Sequence, residues 1–181
     1  MLEFIKEIHR KRLMRNLQAA PREKKILNID QVKTIGVICR LDDEANWNIL
    51  YHFARVMENQ GKQVDIIALL QKDQEIGFVI THRDTHIVRA KTDTNFWGLP
   101  SSDSVRPFVE KTFDLLIDTI GADDFFSQYI ALSTTAALKV AFATRDEEPS
   151  DTFDFTIRGD KPVDLKDYFN HVIEYLSMIQ K

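Results

Sequence analysis

The stretch Val32-Lys33-Thr34-Ile35-Gly36-Val37-Ile38-Cys39-Arg40-Leu41, continued by Asp42-Asp43-Glu44, a segment up to Gly61 and then Val64-Asp65-Ile66-Ile67-Ala68-Leu69-Leu70, decides the fold. Val32, Ile35, Val37 and Ile38 make a short β-branched run that ends on Cys39-Arg40. Trp47, Leu50, Phe53, Ala54 and Met57 then recur at helical spacing, so they share the core-facing side of one helix. Gly61 stands where a helix stops in the left-handed conformation, and Val64, Ile66, Ile67, Leu69 and Leu70 give a second buried strand. A strand, a helix and a strand of these lengths form the unit of a parallel sheet, because a parallel neighbour is reached only through a crossover.

The same alternation continues toward the C-terminus. Phe113 to Thr119 read as a buried strand that ends in Asp118 and runs on to Gly121. Phe125, Phe126, Tyr129, Leu132 and Ala136 suggest a helical stripe, and Leu138 to Phe142 the next strand. Phe153, Phe155 and Ile157 alternate with polar residues, as a strand near a sheet edge does. Asp164 is placed to cap a last helix with Leu165, Phe169, Val172, Leu176 and Ile179 on its buried side. In the middle, Ile76 to Ile80 and Ile87 to Ala90 read as short strands around a turn at Thr81 to Thr85. Asn95 to Pro100 is a loop with two aromatics, Ser101 to Ser104 a polar stretch, and Phe108 to Lys111 the close of a short helix. The expected fold is α/β: a three-layer, Rossmann-like, mostly parallel sheet flanked by helices, with an extra N-terminal helix. Residues 1–25 form that helix and a linker, and residues 26–181 one domain.

At 181 residues, 44% hydrophobic and 29% charged, the chain suits one domain with a full core. Its net charge of -4 argues against general nucleic-acid binding, which needs a basic surface to displace counterions. The lone Cys39 forms no internal disulfide, so a reduced, cytoplasmic setting is expected. No apolar run approaches the ~20 residues that span a bilayer, and the opening Met-Leu-Glu-Phe-Ile-Lys is unlike a signal peptide. Residues Leu2 to Ala20 read as a helix carrying Lys6, Arg10, Lys11, Arg12 and Arg15. Phe4, Ile5 and Ile8 share one side, whereas Leu13, Met14 and Leu17 fall nearly opposite. A helix lying on a membrane needs one continuous apolar side. The divided stripe instead suits a helix that touches its own domain with one end and a protein partner, or a second copy, with the other.

The run Phe113-Asp114-Leu115-Leu116-Ile117-Asp118, a helix, and Ala136-Ala137-Leu138-Lys139-Val140-Ala141-Phe142 resemble the N-terminal half-domain of heptosyltransferase-type (lipopolysaccharide) glycosyltransferases. The opening strand from Lys33 to Leu41 is compatible with the start of that domain. With the Phe96-Trp97-Gly98-Leu99-Pro100 loop and the last helix, the chain is also similar to a small family of Bacteroidetes proteins of about this length. The resemblance implies a Rossmann-like fold and no catalytic residue. In those transferases the nucleotide-sugar donor binds mainly to a second domain. The Gly-Asp step after their first strand is replaced here by Leu41-Asp42-Asp43-Glu44-Ala45.

A dinucleotide site needs glycines between the first strand and its helix, and the carboxylates of Asp42, Asp43 and Glu44 stand there instead, so no nucleotide cofactor is expected. Those carboxylates are read as favourable charge at a helix start rather than a Mg²⁺ site. Cys39 is read as a small buried hydrophobe, and His82 and His86 as surface residues without a third metal ligand. Asp118 ends a central strand, where parallel sheets bind ligands, or else braces the loop that follows. Trp97 is a lid or a plug. Two functions follow: a non-catalytic module acting through a protein partner or self-association, or an enzyme binding a small molecule or nucleotide sugar. The candidate ligand site for the second gathers Arg40, Asp42, Asn46, Trp97 and Asp118 at the strand ends.

Overall fold

The computed structural model describes residues 2–18, 21–71, 82–147, 150–160 and 164–180. α1 (Leu2–Gln18) is followed by a single 3-10 turn at Ile29–Gln31 and then by β1 (Thr34–Arg40), α2 (Glu44–Asn59), β2 (Gln63–Leu70) and β3 (Thr85–Arg89). The second half holds α3 (Ser102–Val109), β4 (Thr112–Asp118), α4 (Phe125–Ser133), β5 (Thr135–Thr144), β6 (Phe155–Gly159) and α5 (Leu165–Met178). The strands form one sheet in the order β3-β2-β1-β4-β5-β6, and every neighbouring pair is parallel. This is a three-layer, Rossmann-like α/β fold with an N-terminal helix added.

The central strands are buried on both sides, which is why they read as continuous apolar runs. Ile35, Val37 and Cys39 of β1, with Ile66, Ala68, Leu115, Ile117 and Val140, pack under α2 and α5. Ile38, Ile67, Leu69, Leu116 and Ala141 face the opposite layer, where Val105 and Phe108 of α3 meet Phe126 and Ile130 of α4. Trp47, Leu50, Phe53, Ala54 and Met57 are the buried stripe of α2, and Gly61 takes φ 81° just beyond its end. Phe53 stacks on Phe169 at 4.1 Å between ring centres, joining α2 to α5. Asp164 caps α5 by accepting from the Asp167 amide at 3.1 Å.

Several elements differ from their sequence reading. The buried side of α4 is Phe126, Ser127, Ile130 and Ala131, with Tyr129 and Leu132 only half-buried and Ala136 already in β5. The helix is so short that an apolar residue on either side fits a stripe, and Phe125 lies under α1 instead. α3 begins at Ser102 with Ser101 as its cap, so the polar stretch is its first turn. β3 takes in Thr85 and His86, because pairing with Ile66 and Ile67 extends the strand backward. The reading of Ile76 to Ile80 as a strand falls on positions outside the described residues. Residues 21–25 are fastened down: Arg22 donates to the Ala136 carbonyl at 3.0 Å and pairs with Asp154, and the Lys25 amide donates to the Ala137 carbonyl at 3.0 Å.

Among the described residues one lysine lies inside. Lys139 of β5 is buried, with its ammonium on the Ala131 carbonyl in the last turn of α4, the end of a helix that favours a cation. Burial, together with the nearby Arg22, pulls its pKa down to about 8.

Candidate functional site

The strand order reverses between parallel β1 and β4, from which the chain crosses over toward opposite edges of the sheet, so a crevice opens beyond their carboxyl ends. A cavity of about 150 Å³ occupies it. Arg40, Asp42 and Asn46 line it, together with Thr119 and Ile120 from the end of β4 and a floor of Cys39, Trp47, Leu50 and Leu165. Three of the residues picked from sequence thus meet where expected, because each lies in the turn from β1 into α2.

The turn orders these side chains. Asp43 caps α2, accepting from the Asn46 amide at 2.8 Å and from Asn46 Nδ2 at 2.9 Å. Arg40 Nη2 donates to Asp124 Oδ2 at 2.9 Å across the crevice, while Arg40 Nε is buried without a partner. Asp124 in turn caps α4 by accepting from the Ser127 amide at 3.1 Å.

Asp118 and Trp97 do not join them. Asp118 is wholly buried and its carboxylate turns toward α4, accepting from the Ile120 amide at 3.1 Å, the Gly121 amide at 2.9 Å and the Ser127 hydroxyl. It braces the loop rather than facing a ligand. Burial, only partly offset by those three donors, raises its pKa to about 7. On the other side of the sheet the Tyr168 hydroxyl donates to the Asp118 carbonyl at 2.7 Å. Trp97 lies against α1: it stacks on His9 at 4.5 Å, and its carbonyl accepts from Arg10 Nε at 2.9 Å. Its loop closes on itself, with Asn95 Oδ1 accepting from the Trp97 and Leu99 amides, so it plugs the space under α1.

The other candidates resolve as structural groups. Cys39 is buried, and burial with Asp118 and Asp42 nearby pushes its thiol far up, away from the nucleophilic thiolate. His82 is not a surface residue but is buried between Glu58, 3.2 Å from its Nε2, and Thr85, 3.1 Å from its Nδ1. His86 is half-buried in β3 beside Asp65, which Lys111 also pairs. Among the described residues, no three His, Cys, Asp or Glu side chains gather closely enough to hold a metal.

A second surface appears at α1. Its inward side carries Arg10, seated over the Phe125 ring at 4.3 Å, and the buried Met14. Its outward side leaves Phe4 66%, Ile5 49% and Ile8 51% exposed, and Phe96, capped by the Lys6 ammonium at 4.6 Å, 61% exposed. The helix therefore holds its own domain with charge, ring contacts, buried Met14 and half-buried Leu13 and Leu17, and turns Phe4, Ile5 and Ile8 away. No helix among the described residues is long and apolar enough to cross a membrane.

Residues 6–179 match the model of a family described as "Family of unknown function (DUF6913)". The chain belongs to this family. The match takes in α1 from Lys6 onward as well as the sheet, so most of the N-terminal helix is part of what DUF6913 comprises. No curated protein and no solved structure matches the chain.

Proposed function

We propose that the protein is a non-catalytic α/β module that works by docking the outward end of α1 against an apolar protein surface rimmed with acidic groups, a second copy of the chain being such a partner. The observation that carries this reading is the divided helix: Arg10 and Met14 face in, whereas Phe4, Ile5 and Ile8 face out, and Phe96 beside Lys6 is exposed as well. Apolar patches of this kind, set among charges, mark contact sites. Residues 1–25 hold eight of the 24 basic residues and three of the 28 acidic ones, net +5, which leaves residues 26–181 at net −9. The body of one chain therefore complements the helix of another. At roughly 200 Å² for a whole aromatic side chain, the outward groups expose about 400 Å². Association through them belongs to the weak, transient class. In this reading the module works in a reduced, cytoplasmic setting, consistent with its single, buried cysteine.

Sedimentation velocity over a wide range of protein concentration and at low and high salt tests this. Reversible, salt-weakened association that Ile8→Glu abolishes without lowering the melting temperature is expected. A chain that stays monomeric throughout would overturn the proposal, and so would one that binds anionic vesicles but not itself.

The second reading, an enzyme for a small molecule or nucleotide sugar kin to the N-terminal half of heptosyltransferase-type transferases and to Bacteroidetes proteins of this size, draws on the place of the crevice cavity at the strand reversal. The resembling run is β4 itself. Against it stand the size of the cavity and the engagement of Asp118 within the loop. Drug-sized ligands occupy about 300 Å³ or more.

A further inference from the structure

We propose that the crevice cavity between β1 and β4 binds a free α-amino acid with a small apolar side chain, its carboxylate on Arg40 and its ammonium on Asp42. This does not depend on the docking role of α1.

A guanidinium carries five N–H donors in a planar fork, and among the described residues only Nη2 of Arg40 has a partner, the Asp124 carboxylate. That ion pair fixes the fork across the crevice, where the side chain stays 29% exposed, although Nε itself is buried out of a ligand's reach. A guanidinium that lines a cavity in this way is matched best by a carboxylate. On the cavity's opposite charge, the Asp42 carboxylate makes no hydrogen bond or ion pair among the described residues, because the cap of α2 is the neighbouring Asp43. Asn46 Nδ2 is held by Asp43, which leaves its Oδ1 free to accept.

The lining thus offers one guanidinium and one exposed carboxylate with no bond to the described residues. A phosphate satisfies Arg40 but meets Asp42 as a like charge. A simple amine leaves Arg40 unanswered. A zwitterion answers both. The floor of Cys39, Trp47, Leu50 and Leu165 is apolar, and 150 Å³ is about five water volumes at ~30 Å³ each, which sets the side chain at the size of alanine to valine.

Isothermal titration of the full chain with glycine, alanine, valine and phenylalanine tests the assignment, with N-acetylalanine lacking the cation and alaninamide lacking the anion. Saturable binding of alanine or valine is expected, weaker for phenylalanine, and weaker by roughly tenfold or more for each half-ligand. Asp42→Asn removes the preference for alanine over N-acetylalanine, and Arg40→Gln the preference over alaninamide. If Arg40→Gln destabilises the fold by freeing Asp124, Asp42→Asn still decides, since that exposed carboxylate takes part in no structural bond. No saturable binding of any of the amino acids, equal binding by wild type and Asp42→Asn, or tighter binding of inorganic phosphate than of alanine would overturn the proposal.

Discussion

Replacing Asp118 with asparagine should change how stability depends on pH, with a sign set by the carboxyl's place in the fold. The unfolded-chain value for this group is 3.8 and the folded value about 7. Between the two, the folded chain keeps a proton that the unfolded chain has released, so stability falls as pH rises through that window and levels off above it. Holding the group ionised in place then costs on the order of 4 kcal/mol. The site accommodates the neutral form because the Ser127 hydroxyl, which donates to the carboxylate, turns to accept from the acid. Asparagine mimics that neutral form. Its oxygen takes the Gly121 amide and its NH₂ reaches Ser127, but the Ile120 amide loses its acceptor, a loss of about 1 kcal/mol. Asp118→Asn is therefore expected to be slightly less stable than wild type near pH 4 and more stable near pH 8, with the curves crossing between. Urea denaturation across that range reads the difference directly. Two curves running parallel, with a gap that does not vary with pH, would refute the reasoning.

Lys139 has the opposite sign. Its pKa falls from 10.5 to about 8 on folding, so wild-type stability should rise between about pH 8 and about pH 10 as the buried ammonium loses its proton. Lys139→Met should show no such rise and should match or exceed wild type at neutral pH, which the same urea series checks. Gly98 has φ 75°, and a Cβ there would lie 2.5 Å from Arg10 Nη2. Gly98→Ala should therefore cost about 1–2 kcal/mol and loosen α1. Faster trypsin cleavage at Arg10, Lys11 and Arg12 is the expected readout, and an unchanged rate would show that the helix is held by other contacts.

The sheet was legible because its strands are buried on both sides and written in β-branched and aliphatic residues, as in Ile35 to Cys39 and Leu115 to Ile117. α2 was legible because five apolar residues at helical spacing leave no second way to turn it. α4 was not: nine residues with apolar groups all around fit two stripes, and only the sheet beneath chooses Ile130 over Tyr129. In the candidate site, Arg40, Asp42 and Asn46 follow from their place in the first βα turn, which chain connectivity sets. Asp118 has the position of a ligand group, but its partners Ser127 and Tyr168 come from helices on opposite sides of the sheet, and no local pattern reveals them. Trp97 plugs rather than joins the candidate site, and sequence does not show where, because its partners His9 and Arg10 lie far away on α1. His82 was misjudged for a related reason: Glu58 satisfies its ring, and a buried imidazole with a carboxylate at hand looks in sequence like any surface histidine.

A helix tied on by a guanidinium, a carbonyl and two ring faces, with Met14 tucked under it, is fastened like a latch rather than welded like a core element. Solutes that compete for such contacts, arginine or guanidinium at low concentration among them, would release it while the sheet stays intact. The chain thereby has a handle that can swing without unfolding, and whatever grips Phe4 and Ile8 pulls on the loop carrying Trp97 before it disturbs anything deeper.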